Sequence, residues 1–384
     1  MIQNNLIYLD YNATTPCDQR VVEKMLPYFT QVYGNPANGL HIQGRMASDA
    51  VDEARHQVAG CIGAYPGEIY FTSGATESNN LAIRGLAWQK KQNNRYRIIT
   101  SVIEHKAVLQ PCKKMEEDGL EIILIPVNPN GLVRVEDIKP VMDDRTLLVS
   151  VQTANNEIGT LQPIAEIAEI AHQHGALMHT DAAQAVGKIL VNVDNMGVDL
   201  LSMSAHKLYG PKGVGALYVR GGTHNISLEP LILGGGQEKG LRSGTTNVPA
   251  IVGFGEACRI LRESLPIEAE RINLLRSRLE LNLINDIPNI RINAHNEKRL
   301  PNTSSLTFPG IDADALILNL KTIMIGTGSA CSVGAIEPSH VLQAIGLTRE
   351  EAYSTIRISI GRFTDDVSVN IASEEIFAAW KRLV

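Results

Sequence analysis

The chain has 384 residues, 44% of them hydrophobic and 20% charged, with a formal net charge of -6. This is the composition of an ordinary globular protein large enough for two domains, and it excludes a disordered chain. A mildly acidic balance with no clustered surplus of Lys and Arg gives no footing for direct binding to a nucleic-acid backbone.

The N-terminal stretch MIQNNLIYLDYNATTP lacks a basic region followed by a long apolar run, and no apolar segment is long enough to span a bilayer. A cytoplasmic protein without membrane contact is the expectation. The five cysteines, Cys17, Cys61, Cys112, Cys258 and Cys331, are odd in number and far apart, so neither a disulfide framework nor a CxxC motif can be drawn.

From about residue 65 to 220, short apolar runs alternate with helical patterns: EIYFT, RIITS, LEIILIPV, RTLLVSVQT, ALMHTD, VDLLSMS and GALYVR. Near-continuous apolar character predicts strands buried on both faces, as in a mainly parallel sheet covered by helices. PIAEIAEIAHQHG (163–175) fits such a helix, with Pro at its start, apolar residues three and four apart and Gly at its end. After 220 the pattern changes, and the Gly-rich LGGGQEKGLRSGTTN leads into about 40 residues of helical spacing. A smaller α+β unit is expected from about 265, with NIRIN, SSLTF and STIRISI as strands and DADALILNLK and DDVSVNIASEEIFAAWKRL as helices.

In parallel α/β sheets ligands bind beyond the carboxyl ends of the strands, so the residues after each run matter most. SGATES (73–78) opens a helix whose free N–H groups and dipole suit a phosphate. Without a Lys in the loop it is no Walker motif, and alone it reads as a capped helix start. His105, Asn155, Asn156, Asp181 and Gln184 follow other runs. Each alone reads as a cap or turn residue, but their convergence on one sheet edge favours a site.

Lys207, in SAHKLYGPKGVG, directly follows a strand that should be buried. An exposed loop is the commonest fate of a lysine, but a Schiff-base lysine needs a desolvated site and an aldehyde cofactor. Pyridoxal phosphate requires such a Lys and an acidic partner for its ring nitrogen, which Asp181 supplies. His172 and His174, two apart at a helix end, make a poor metal pair.

Taken in order, YLDYNATTP, SGATESNN, EHKAVL, NNEIG, DAAQAVGK, SAHKLYGPKGVGALYVR, RSGT, GSACS and IRISIGRF closely resemble cysteine desulfurases of the NifS/IscS group, in the class-V branch of the aspartate aminotransferase superfamily. The resemblance implies an α/β fold of the aspartate aminotransferase type, PLP fold type I. It implies a large domain over 16–264 and a small one made of 1–15 and 265–384, the latter carrying a catalytic cysteine loop at about 326–339. By similarity Lys207 would bind the aldehyde of pyridoxal 5'-phosphate, Asp181 would keep its ring nitrogen protonated, His105 would stack on the ring and move protons, and Gln184 would donate to the ring's phenolate oxygen. The phosphate would be held by Ala75, Thr76, Ser204 and His206, with Thr245 reaching across from a second subunit of a homodimer.

The same resemblance gives L-cysteine as substrate, its carboxylate gripped by Arg357 and Asn156 with Asn35 nearby. Cys331 would attack the substrate sulfur as a thiolate, leaving L-alanine and a persulfide for an acceptor protein. The acceptor would serve iron-sulfur cluster assembly, RNA thiolation or DNA phosphorothioation. No metal site built from protein ligands alone is expected, although Cys331 could transiently ligate a shared iron-sulfur cluster.

Departures from the family pattern are mild: Asn38 after GNPA, and Thr327, Val333 and Gly334 around the nucleophile. The chain also stops soon after its last motif, at KRLV, which puts docking of an iron-sulfur scaffold through a C-terminal tail in doubt. Other outcomes on this fold are a selenocysteine lyase or aminotransferase, and a non-catalytic sulfur-relay subunit. The first pair fits Cys331 and its long loop less well, and the last is disfavoured by the presence of Lys207, Asp181, His105 and Cys331. The small residues around Cys331 suit a thiol that must move between cofactor and acceptor.

Overall fold

The computed structural model describes residues 6–87, 94–327 and 337–384. A short first strand, β1 (Ile7–Tyr8), stands apart from the seven apolar runs, which form one sheet: β2 (Ile69–Thr72), β3 (Arg97–Ser101), β4 (Glu121–Ile125), β5 (Thr146–Ser150), β6 (Leu177–Asp181), β7 (Leu200–Ser204) and β8 (Gly215–Val219). Their order is β2-β8-β7-β6-β5-β3-β4. β4, β3, β5, β6 and β7 run parallel, while β8 pairs antiparallel with both β7 and β2.

Successive strand residues enter different cores, as the pleat requires. Ile99, Val149 and Leu201 join one hydrophobic cluster, and their neighbours Ile98, Leu148 and Leu200 join another. Helices cover both faces: α1 (Ile42–Ile62) lies on the first side, and α2 (Ala75–Ala87) and α3 (Lys106–Glu117) on the second. Helix α4 (Ile164–Gln173) buries Ile164, Ile167, Ala168, Ile170 and Ala171, the stripe its spacing predicts. One run behaves differently from its composition. LEIILIPV reads as buried on both faces, but β4 is the edge strand with β3 as its sheet neighbour, and Leu124 is 51% exposed.

The helical stretch after the Gly-rich segment is a single helix of 39 residues, α5 (Val248–Asp286), N-capped by the Asn247 side chain. The expected division at 264/265 falls inside it, where its buried side chains change partners. Leu265 still packs in the core of the large sheet, while Ile272, Leu275, Leu279 and Leu283 pack in a second core with Leu306, Ile356 and Ile358.

That second core covers an antiparallel sheet of β9 (Arg291–Ile292), β10 (Thr303–Thr307) and β12 (Thr355–Ser359), ordered β12-β10-β9. Helices α6 (Ala313–Leu318) and α7 (Asp366–Lys381) pack on it. β1 pairs in parallel with β11 (Ile323–Met324), and bridges from Asp10 to Ser359 and from Gly326 to Arg357 tie that pair to β12. Among the described residues no helix is long and apolar enough to cross a membrane.

Candidate active site

The large sheet ends in a cavity of about 530 Å³ beyond the carboxyl ends of β2, β3, β5, β6 and β7. Its lining includes Ala75, Thr76, His105, Asn156, Asp181, Gln184, Ser204, His206 and Lys207. Sequence reasoning named all nine, and strand topology alone brings them together from stretches more than a hundred residues apart.

Lys207 ends a short turn after β7 and is half-buried. Its Nζ donates to the main-chain oxygen of Ala13 at 2.8 Å and to that of Asn12. The turn is held firmly. Tyr209, two residues on, adopts a left-handed backbone (φ 65°), which costs a side-chain-bearing residue about 1 kcal/mol. It is kept there by Thr15 Oγ1, which accepts from its N–H at 2.9 Å, and by the Arg362 N–H, which donates to its hydroxyl at 2.6 Å.

The Asp181 carboxylate accepts from Asn79 Nδ2 at 2.7 Å and from the Ala183 N–H at 2.9 Å, which fixes both oxygens at the cavity wall. His105 N-caps α3, its Nδ1 accepting from the Ala107 N–H at 3.0 Å. The proton of the neutral ring therefore sits on Nε2. Burial lowers the pKa of His105, so the neutral form dominates at physiological pH. His206, on Thr14 Oγ1 at 3.1 Å, is pushed down to about 4 by burial and by the cations Lys207, Lys212 and Lys188.

At the other end of the cavity lies the first turn of α2. Its first helical N–H to find a main-chain acceptor is that of Ser78, on Gly74 O at 3.1 Å, so the N–H groups of Ala75, Thr76 and Glu77 belong to the open end of the helix. Two glycines make room for it. A Cβ on Gly215 would stand 2.6 Å from Gly74 Cα, and one on Gly74 would face Ser204 Oγ at 3.7 Å, inside the cradle. An amine, a fixed carboxylate and an anion cradle along one cavity are the donor set that pyridoxal phosphate requires, and these residues fit it.

Other expected residues lie elsewhere. Thr245 lines an adjoining cavity of about 170 Å³ with Arg242 and Gln237. Asn35 sits in an exposed loop, accepting from the Ala37 N–H at 3.0 Å, and does not line the main cavity. Arg357 is buried behind the wall, with Nη2 2.6 Å from Asp10 Oδ1 and Nη1 donating to Asn156 O at 3.0 Å. Asn155 takes a turn role, its Oδ1 accepting from the N–H groups of Glu157 and Ile158.

Cys331 lies outside the described residues, but both flanks of its segment are anchored. Gly326 exchanges two main-chain hydrogen bonds with Arg357, at 2.7 and 3.2 Å. On the far side Ser339 Oγ donates to buried Glu157 Oε2 at 2.5 Å, and His340 Nε2 donates to Glu104 O at 3.0 Å. Among the described residues no cluster of His, Cys, Asp and Glu could hold a metal ion. His172 instead meets Asp199 Oδ2 at 2.8 Å.

Glu104, just before His105, is fully buried and pushed up to about 8 by burial, although Ser101 Oγ at 2.6 Å and the Gln152 N–H at 3.0 Å both hydrogen-bond it. A carboxyl raised from 4.5 in the unfolded chain to about 8 in the fold stabilises fully below pH 4.5. That stabilisation is lost as pH rises through 8. Denaturant titrations of wild type and Glu104→Gln between pH 5 and 8 check this. The wild type is expected to lose stability more steeply, by up to about 1.4 kcal/mol per pH unit, the value for one proton. Parallel curves would assign Glu104 its ordinary pKa.

Residues that sequence reasoning did not single out are Asn12, Asn79 and Lys188. All three lie inside quoted motifs, but none follows directly on a strand, so the rule that located the others passes over them.

The aminotransferase class-V family matches residues 7–371. The cysteine desulfurase IscS of Proteus mirabilis (strain HI4320) is 47% identical over 381 residues, 98% of this chain and 93% of its own. Among solved structures, a NifS-like protein superposes with a TM-score of 0.91 at 39% identity, over 98% of this chain and 100% of the other. SspA in complex with cysteine superposes with a TM-score of 0.83 at 40% identity, over 93% and 99%.

Proposed function

Because the chain belongs to the aminotransferase class-V family, and within it is a pyridoxal-phosphate-dependent cysteine desulfurase of the IscS/NifS group, we propose that Lys207 binds the cofactor aldehyde and that Cys331 carries the sulfur of L-cysteine away as a persulfide. The observation that supports this most is that Lys207, His105 and the pair Asp181 and Gln184, from the ends of three different strands, line one cavity. Bound there, pyridoxal phosphate supplies an electron sink for the pair released at the substrate carbon.

The residues of the chain do the rest. The first turn of α2, with Ser204 and His206, takes the phosphate. Asp181, held by Asn79, keeps its negative charge against the ring nitrogen. Gln184 donates to the ring oxygen. The substrate carboxylate goes to Asn156 and Arg357, with Asn35 approaching from its loop. Lys207 Nζ, released by the substrate amine, takes the proton from the substrate α-carbon, and His105 Nε2 assists proton movement over the ring. Cys331, as a thiolate, attacks the substrate sulfur. The carbon–sulfur bond breaks, its electron pair returns to carbon, and a sulfur–sulfur bond forms on Cys331. The β-carbon, which received that pair, takes up a proton, Lys207 returns a proton to the α-carbon, and the product leaves as L-alanine.

The working unit in this proposal is a cytoplasmic homodimer, with Thr245 of the partner subunit completing the phosphate site. The acceptor is a thiol-bearing protein of iron-sulfur cluster assembly or thiolation, and the SspA complex with cysteine supports the choice of substrate. Loading the enzyme with sulfur-labelled L-cysteine, alkylating and digesting it should put reductant-releasable label on the peptide that holds Cys331. Label confined to any other cysteine would overturn the assignment.

A further inference from the structure

Lys188 is buried, with 8% of its surface exposed, on the loop after β6, yet among the described residues no carboxylate stands within ion-pairing distance of it. Glu268, which lines the small void on the side of Lys188, is engaged by Arg362 Nε at 3.0 Å. Burial, and after it the charges of Lys207 and Arg357, lower the pKa of the amine well below the usual lysine value. A lysine placed like this is no surface cation, and an apolar residue would fill the space at lower desolvation cost.

What the amine does instead is donate twice, to Asn12 Oδ1 at 2.9 Å and to Gln184 Oε1. Either protonation state can do so, because a neutral amine still carries two N–H groups. Both acceptors are amide oxygens, so the two bonds settle which way each amide faces. With Oε1 turned to Lys188, the Gln184 amide places Nε2 on Asn12 O at 2.9 Å and keeps one further N–H for the cavity. With Oδ1 turned to Lys188 and to Asn302 Nδ2 at 3.0 Å, Asn12 directs its own Nδ2 to Asn156 O at 3.1 Å and Thr303 Oγ1 at 2.9 Å. The main-chain oxygen of Asn12 is also the one that receives Lys207 Nζ.

We propose that Lys188 is a positioning residue for the desulfurase reaction: by holding the amides of Gln184 and Asn12 in one orientation, it makes Gln184 present an N–H rather than a carbonyl to the ring oxygen of the cofactor. This rests on the proposed role of Gln184. Without Lys188 the Gln184 amide keeps only the bond from Nε2 to Asn12 O and loses the one that fixes Oε1, so the donor to the ring oxygen is held less well and that oxygen holds the proton of the chromophore more tightly.

The test is the pH midpoint of the visible absorbance of the holoenzyme in wild type, Lys188→Met, Gln184→Met and the double variant, with thermal melts alongside. The midpoint should rise in each single variant, by roughly one to two units where the donor is lost outright, the size of one hydrogen bond to a charged oxygen. Adding Lys188→Met to Gln184→Met should move it no further. A folded Lys188→Met enzyme with the wild-type midpoint, or a shift that adds fully to that of Gln184→Met, overturns the proposal. An unmoved midpoint in Gln184→Met overturns the role of Gln184 itself. Lys188→Leu, which also lacks donors, repeats the measurement if Lys188→Met does not fold.

Discussion

Lys207→Ala should fold and yet lose turnover by roughly 10²- to 10⁴-fold or more, the scale of a missing general acid–base group. The side chain removed touches the main-chain oxygens of Asn12 and Ala13, and the turn beneath it is held independently by Thr15 and Arg362. Losing hydrogen bonds from a lysine amine to main-chain oxygens costs about 2 kcal/mol, so the melting temperature should move only a few degrees. The chemistry has no substitute. His206 is too acidic to serve as a base and faces Thr14, and Lys188 is sealed beneath the cavity. Alanine formation with excess L-cysteine, followed for many enzyme equivalents, checks the prediction. Turnover within tenfold of wild type would remove Lys207 from its role.

Cys331→Ala should keep the bound cofactor and its colour, but release sulfide from L-cysteine at least roughly 100-fold more slowly, because only a thiolate attacks sulfur efficiently. The other four cysteines cannot take over. Burial pushes the Cys112 thiol up to about 12 and raises that of Cys258 well above its usual value, and both are closed to solvent in the cores of the large sheet. Cys17 is raised as well, by burial and then by Asp18. Neither Cys17 nor the half-buried Cys61 lines the Lys207 cavity. Sulfide release near the wild-type rate in Cys331→Ala would show that a different thiol or none is required.

Much of the site was legible because it obeys a local rule. His105, Asn156, Asp181 and Lys207 each follow a recognisable apolar run, so their meeting at the sheet edge is written in the strand order. The edge position of β4 was not legible, since composition does not say which strand lacks a second neighbour. The network around Asn12 was hidden for a different reason. It joins residues whose only relation is spatial, such as Lys188 to Asn12 and Asn12 to Asn302, and no period or motif spacing encodes such a pair. The engagement of Arg357 by Asp10 belongs to the same class, for the two lie at opposite ends of the chain.

Those end-to-end ties set the order in which a newly made chain can become an enzyme. Asn12 leaves the ribosome well ahead of the group that receives its N–H, Ser359 Oγ at 2.9 Å, 347 residues later. At the usual pace of synthesis, roughly 5 to 20 residues per second, it waits on the order of tens of seconds for that acceptor. The large sheet can form in the meantime, since its strands end at Val219, and a cavity with Lys207 in its wall can exist on an unfinished chain. What an unfinished chain lacks is the fixed perch for the lysine amine. An enzyme that handles a reactive sulfur atom is thus assembled so that its working geometry closes last, and a prematurely terminated copy is left without it.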